Sequence, residues 1–182
     1  MYLDDLIGYA DSEEKCIDRL RQIFDRCRQK HLTLHPRKCK FGLSVVEYIG
    51  HTLDSSGIHF TRSRLDSILN FDLPRTQKRL KSFLGFANYF RDHVQDYATL
   101  AAPLHRLVAP YKPSKKIDWT FELEECYNKV LHAVHDCPKL FFMDGTSPIF
   151  LDTDASDYGI GAYLYQLRDG KQYPIAFLST IY

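Results

Sequence analysis

Hydrophobic spacing changes twice along this 182-residue chain, and those changes constrain its fold more than any single residue does. Up to about residue 60, one helical stretch sits among short apolar runs and turn residues. From Thr61 to Val108 the apolar period is helical, and after Leu140 it returns to the alternation of strands. Blocks of this kind predict an α+β fold with its helices gathered in the middle of the chain.

In the first block, Asp11 with Glu14 three residues later makes a capping-box pattern ahead of Cys16, Ile17, Leu20, Ile23, Phe24 and Cys27. That spacing predicts an amphipathic helix over 12–30. Leu32 and Leu34 alternate with polar residues as a short strand would. Residues 45–60 read as a hairpin, extended to Leu53, turning at Asp54-Ser55-Ser56-Gly57 and resuming at Ile58 and Phe60. Thr61 can cap a helix through 70, and Pro74-Arg75-Thr76 stops and restarts the chain. Phe83, Leu84, Phe86, Ala87, Tyr89 and Phe90 then share one helix face, and a further helix covers 100–108. Pro110, Pro113 and Ser114 among lysines read as a linker. A helix follows over 120–135, then strands at 140–142, 149–153, 161–166 and 173–178. The domain divisions expected are 1–60, 61–110, 111–139 and 140–182.

A chain that is 45% hydrophobic can bury a sizeable core, which excludes a disordered or low-complexity protein. Its net charge of +1 gives no global field for polyanions. Local basic clusters exist at Arg75, Lys78, Arg79 and Lys81, and again at Lys112, Lys115 and Lys116. Five cysteines without Cys-x-x-Cys spacing, no leader-like segment and no membrane-length apolar run lead us to expect reduced thiols and an intracellular protein.

The chemistry-bearing motif is Tyr2-Leu3-Asp4-Asp5-Leu6-Ile7, two adjacent carboxylates between short apolar runs. Neighbouring side chains on a strand point to opposite faces, so both acids converge on one cation only where the chain turns, as at a hairpin tip. Carboxylate oxygens suit Mg2+, and paired metals clamp the attacking and leaving oxygens of phosphoryl transfer. Taken alone, such a pair is more commonly a solvated turn.

The order of several blocks goes further, because together they resemble the reverse transcriptase polyprotein of gypsy-class LTR retrotransposons and related retroviruses. Tyr2-Leu3-Asp4-Asp5 is similar to that family's catalytic turn in the polymerase palm. His31-Leu32-Thr33-Leu34 and Lys38-Cys39-Lys40-Phe41 are similar to the strand and loop after it, and Tyr48-Ile49-Gly50-His51 resembles the primer-grip hairpin. Phe83-Leu84-Gly85-Phe86-Ala87-Asn88-Tyr89-Phe90-Arg91, with Ala102-Pro103-Leu104, resembles the thumb. Trp119 and the helix after it resemble the tether before the ribonuclease H domain. Thr153-Asp154-Ala155-Ser156 followed by Gly159-Ile160-Gly161-Ala162 resembles that domain's first strand and hairpin.

The resemblance implies a partial palm hairpin, a helical thumb and the first strands of an RNase H-like domain. It implies Asp4 and Asp5 as Mg2+ ligands for addition of deoxynucleotides, with Tyr2 beneath the primer terminus and Leu3 near the template-primer. Tyr48, Gly50 and His51 would belong to the primer grip, and Lys78, Arg79, Lys81 and Arg91 would touch the backbone of an RNA/DNA hybrid or template-primer duplex. Asp154 would be the first of four metal-binding acids that cleave the RNA strand of a hybrid. The family's third palm carboxylate and the later ribonuclease H acids have no counterpart in the sequence, so we expect neither activity from this polypeptide alone. The alternative is a catalytically dead, retroelement-derived protein that binds nucleic acid or another protein. Both terminal sheets are expected to lack partner strands, leaving 61–108 the best-folded part.

Three other readings carry less. His132 and His135 with Cys126 and Cys137 suggest zinc, but their spacing does not match a finger. Asp152-Thr153-Asp154 lacks the glycine an aspartic protease places after its catalytic Asp-Thr. Phe83, Phe86, Tyr89 and Phe90 have the base-stacking residue type, yet their shared helix face predicts core packing.

Overall fold

The computed structural model describes residues 5–156 and 159–181. The chain forms two compact units, Met1–Ser55 and Ser56–Tyr182. Helices and antiparallel strands are segregated in blocks, as an α+β chain requires.

In the first unit the expected helix is α1, Glu13–Gln29. Its cap is Ser12 rather than Asp11: the Ser12 hydroxyl accepts from the Lys15 N–H at 3.3 Å, while Asp11 pairs with the Lys15 ammonium at 3.3 Å. Glu13 and Glu14 in the first turn and Arg26 and Arg28 in the last complement the helix dipole. The helix closes through His31 at φ 54°, whose N–H donates to Arg28 O at 3.2 Å while the Leu32 N–H donates to Cys27 O at 2.9 Å. This closure explains why the strand expected at Leu32 and Leu34 does not form, since the Leu32 amide is taken by the helix end. Of the hairpin expected around Asp4-Asp5, residues 1–4 lie outside the described residues, and 6–10 form no strand.

Inside the segment expected as one strand before Leu53 lies a further turn that the sequence reading did not place. β1 (Val46–Tyr48) and β2 (His51–Leu53) pair antiparallel, and Ile49 and Gly50 between them take φ of 49° and 72°. Two successive left-handed residues make the primed two-residue turn that matches strand twist. The extended segment expected over 45–53 is therefore broken at its middle. Phe24, Leu34, Pro36, Cys39 and Phe41 line a shallow apolar concavity, with the Phe24 and Phe41 rings edge to face at 6.1 Å.

The second unit opens with β3 (Gly57–His59) and α2 (Arg62–Asp66), which tightens into a 3-10 turn over Ser67–Asn70. Next come α3 (Gln77–Ala87), a 3-10 segment Asn88–His93, α4 (Tyr97–Leu107) and α5 (Phe121–His135). Strands β4 (Leu140–Phe141), β5 (Ile149–Ser156), β6 (Gly159–Arg168) and β7 (Lys171–Ile181) complete it. Threonine hydroxyls cap three helices, accepting from the third residue on: Thr61 from Arg64, Thr76 from Arg79 and Thr120 from Leu123. Phe83, Phe90, Ile68, Leu80, Leu104, Val130 and Val134 are fully buried. α3 ends at Ala87, short of the helix face expected to run on through Tyr89 and Phe90, yet the aromatic residues of α3 and of the 3-10 segment after it pack into the core as expected. Phe83 lies 4.4 Å from the Tyr127 ring and 5.6 Å from Phe71, and Phe90 lies 4.5 Å from Phe60. The Tyr127 hydroxyl donates to Phe71 O at 3.1 Å, and burial pushes its pKa up to about 12. All five cysteines are unpaired.

β5, β6 and β7 form an antiparallel sheet in that order, with Asp169 and Gly170 at φ 50° and 74° turning β6 into β7. One face carries an aromatic ladder: Phe150 stacks on Tyr165 at 5.4 Å, Tyr165 on Tyr163 at 4.7 Å, and Tyr163 on Phe177 at 4.8 Å. Gly161 shares this face, and a Cβ there would collide with the Asp96 carboxylate. Asp96 itself is held at φ 50° just before α4. The corner is fastened beside Gly161 by Ser179, whose hydroxyl accepts from the Ala98 N–H at 2.9 Å and whose carbonyl accepts from Arg91 at 2.7 Å.

At the other end of the sheet the fully buried Gln166 donates to Asp144 O at 3.1 Å and Ser147 O at 3.0 Å, and accepts from the Asp144 N–H at 3.0 Å. The Asp144 carboxylate accepts from the N–H groups of Thr146 and Ser147 at 3.0 and 2.6 Å and lies 2.8 Å from Arg168 Nε. Those amide donors, led by Ser147, hold its carboxyl well below the usual carboxylate range.

Three outcomes follow for this unit. Phe83→Ala empties the centre of the core and costs about 3–5 kcal/mol by chemical denaturation. Asp144 has a depressed folded-state pKa, so its contribution is fully present above the unfolded value of about 3.9 and is lost as pH falls toward the lower folded value. Unfolding midpoints measured against pH should therefore show a shallower acid limb in Asp144→Asn. Gly161→Ala destabilises by about 1–3 kcal/mol, and Asp96→Gly in the same chain recovers most of that loss, read as a coupling in a double-mutant cycle.

Candidate functional site

Of the Tyr2-Leu3-Asp4-Asp5 motif, Tyr2, Leu3 and Asp4 lie outside the described residues, and Asp5 is exposed where the described chain begins. The first unit joins Asp5 to the later hairpin, because the Tyr48 hydroxyl donates to the Asp5 carbonyl at 3.4 Å. Sequence reading assigned Asp5 to the catalytic turn and Tyr48 to the primer-grip hairpin, with no contact between them. Beyond Tyr48, Gly50 supplies the left-handed turn and His51 folds its Nδ1 to within 3.1 Å of Ile49 O. Ile49 is β-branched and sits at φ 49°, a conformation such residues adopt only under constraint from their surroundings.

Asp154 lies on β5, exposed, opposite Gly161 in the β5–β6 pairing. Alternation places Asp152 and Asp154 on the face where Phe150 stacks on Tyr165. Asp96 stands over Gly161 on that same face, an acidic neighbour of β5 that the sequence did not reveal. The opposite face is open, with Leu151, Ile160 and Leu178 exposed at 59, 42 and 62%.

Lys78, Arg79 and Lys81 are exposed on α3. The Lys81 ammonium lies 4.2 Å from the centre of the Tyr111 ring. Arg91 is used differently, reaching β7 through its bond to Ser179 O while its Nε lies 3.8 Å from Asp92.

Among the described residues no three His, Cys, Asp or Glu side chains converge as a metal site would require. The described carboxylates therefore do not by themselves form a Mg2+ shell, and the zinc arrangement around His132 and His135 is absent among them. His135 instead lies 2.6 Å from Asp136 and 3.2 Å from Asp66, and burial pushes the Cys137 thiol up to about 12. Nor is any helix among the described residues long and apolar enough to cross a membrane.

Residues 119–182 match the family described as the RNase H-like domain found in reverse transcriptase. The whole chain is 30% identical to the retrovirus-related Pol polyprotein from transposon 412 of Drosophila melanogaster, covering 14% of that protein. It is 28% identical over 98% of its length to the transposon Tf2-3 polyprotein of Schizosaccharomyces pombe, covering 13% of it. The chain thus spans a small part of these relatives. In fold it is similar to the foamy viral protease-reverse transcriptase solved in complex with RNA/DNA hybrid, at a TM-score of 0.72 and 24% identity, covering 96% of this chain and 23% of that one. The same viral protein in complex with dsDNA gives 0.71 at 24% identity, covering 96% and 36%. The C-terminal third of the chain thus matches the RNase H-like domain found in reverse transcriptase, and the homologues of the chain as a whole are Pol polyproteins of transposons.

Proposed function

We propose that the chain is a duplex-gripping segment of an RNA-directed DNA polymerase with associated ribonuclease H, holding an RNA/DNA hybrid or template-primer duplex through α3. The observation that carries this reading is the division of α3 into two faces. Leu80, Phe83, Leu84 and Ala87 are buried, while Lys78, Arg79 and Lys81 are exposed and make no ion pair among the described residues. Unneutralised cations on a rigid helix suit a phosphate backbone, where contacts are sequence-independent and need no complete active site. Gly85 lies among them, with nothing within 4 Å of where its Cβ would sit. A mid-helix glycine costs about 0.5–1 kcal/mol relative to alanine, and here it leaves the helix surface low enough for close approach of a backbone. The foamy viral relatives in complex with RNA/DNA hybrid and with dsDNA support the same ligand.

The turn between Tyr48 and His51, tied to Asp5 through the Tyr48 hydroxyl, is the proposed seat of the primer end, together with Tyr2 and Leu3. Asp4 and Asp5 are proposed as Mg2+ ligands for deoxynucleotide addition, and Asp154 as one ligand for cleavage of the RNA strand. Two-metal phosphoryl transfer depends on a complete carboxylate shell to fix both ions. These acids supply part of one shell at each position, so the 182-residue polypeptide binds a duplex without processing it.

Fluorescence anisotropy with an RNA/DNA hybrid should show binding that weakens steeply between about 50 and 200 mM salt. Primer extension and hybrid cleavage with Mg2+ should yield no product. Binding that is absent or indifferent to salt overturns the duplex reading, and template-dependent extension or hybrid cleavage overturns the inactive one.

A further inference from the structure

Charge is strongly segregated in this nearly neutral chain. Residues 73–117 hold nine lysines and arginines against two aspartates, so this stretch carries +7 and the remainder −6. Part of that charge lies in the segment 111–116, whose Lys112, Lys115 and Lys116 read in the sequence as a solvated linker.

The structure folds this segment back onto the start of α3. It runs antiparallel to residues 74–78, with a bridge between Thr76 and Lys116. The Gln77 N–H donates to Lys115 O at 2.9 Å, the Lys78 N–H to Pro113 O at 3.3 Å, and the Ile117 N–H to Arg75 O at 3.2 Å. The side chain of Gln77, 1% exposed, accepts from the Lys112 N–H at 2.6 Å and donates to Leu107 O at 2.7 Å. The first amides of α3 are thus occupied by the chain itself and are not available to an anion. What remains facing solvent is a set of ammonium and guanidinium groups from two segments: Arg75, Lys78 and Lys81 with Lys112, Lys115 and Lys116. None of the six makes an ion pair among the described residues, and residues 97–117 contain no acid. Like charges held together by backbone bonds repel one another, and a row of phosphates relieves that repulsion.

We infer that Lys112, Lys115 and Lys116 form, with Arg75, Lys78 and Lys81, one continuous phosphate-contacting strip, so that the tether between α4 and α5 grips the duplex backbone alongside α3. This rests on the duplex-gripping reading above and adds to it a second segment.

The test is the salt dependence of binding between the 182-residue chain and a random-sequence RNA/DNA hybrid, followed by anisotropy. In the triple variant Lys112→Ala, Lys115→Ala, Lys116→Ala the loop keeps its anchors, which are backbone groups and Gln77. Its slope of log affinity against log salt should be less steep by up to about 2.7, at about 0.9 per phosphate contact. The corresponding lysine-to-arginine triple variant should restore the slope. Lys129→Ala, which removes a cation paired with Glu125 at 2.7 Å on α5, should leave it unchanged. If the unsubstituted chain binds and the alanine triple variant keeps its slope, the tether is not a contact and α3 acts alone. An equal loss in Lys129→Ala also overturns the inference, since net charge would then explain the effect. If the unsubstituted chain does not bind, the duplex reading falls and the inference falls with it.

Discussion

A single buried carboxamide organises the middle of the second unit. Gln77 occupies the first residue of α3 and is almost wholly enclosed. Its oxygen is met by the Lys112 amide and its nitrogen by the Leu107 carbonyl, so one side chain ties the start of α3 to the end of α4 and to the tether. A buried amide without partners would cost about 1–3 kcal/mol, which makes this junction either complete or strongly unfavourable. From it the chain continues to Trp119, whose indole N–H donates to Pro74 O at 2.7 Å, and then into α5, which supplies Tyr127, Val130 and Val134 to the core beneath α3.

The helical part of this architecture was legible because it depends on short-range periodicity. Apolar residues three and four apart, threonines at the caps and a proline before α3 each act within a turn or two. Strand boundaries were less legible, and for identifiable reasons. Ile49 and Gly50 carry no Asn-Gly or Asp-Gly signal, and a β-branched residue at positive φ runs against local preference, so the turn they make was not read from the sequence. Leu32 and Leu34 alternate as a strand does, but the closure of α1 takes the Leu32 amide first. Asp11 and Ser12 are both good caps, and sequence alone does not choose between neighbours of equal quality.

At the candidate site, residue types were legible and their surroundings were not. Asp5 and Asp154 stand out because carboxylates in those motifs have a chemical use. Nothing near Gly161 in the sequence shows that Asp96 lies over it, and nothing near Arg91 shows that it reaches Ser179. Both contacts join segments far apart in the chain. Gln77 likewise reads as an ordinary polar residue on a helix, and the tether as a flexible linker, until the fold encloses one and folds back the other.

Side-chain facing in the three-stranded sheet has its own determinant, at the end farthest from Asp154. Gln166 is paired with Ile149 at the start of β5, and its bonds to Asp144 and Ser147 fix the point at which β5 joins β6. Direction reverses with every residue of a strand, so a register slip of one position inverts the whole set. Such a slip would carry Asp152 and Asp154 to the face where Ile160 and Leu178 are exposed, and would turn Leu151 and Thr153 toward the corner that carries Asp96. The polar loop ahead of β5 therefore acts as a register pin, and through it residues with no chemistry of their own decide which way a carboxylate points.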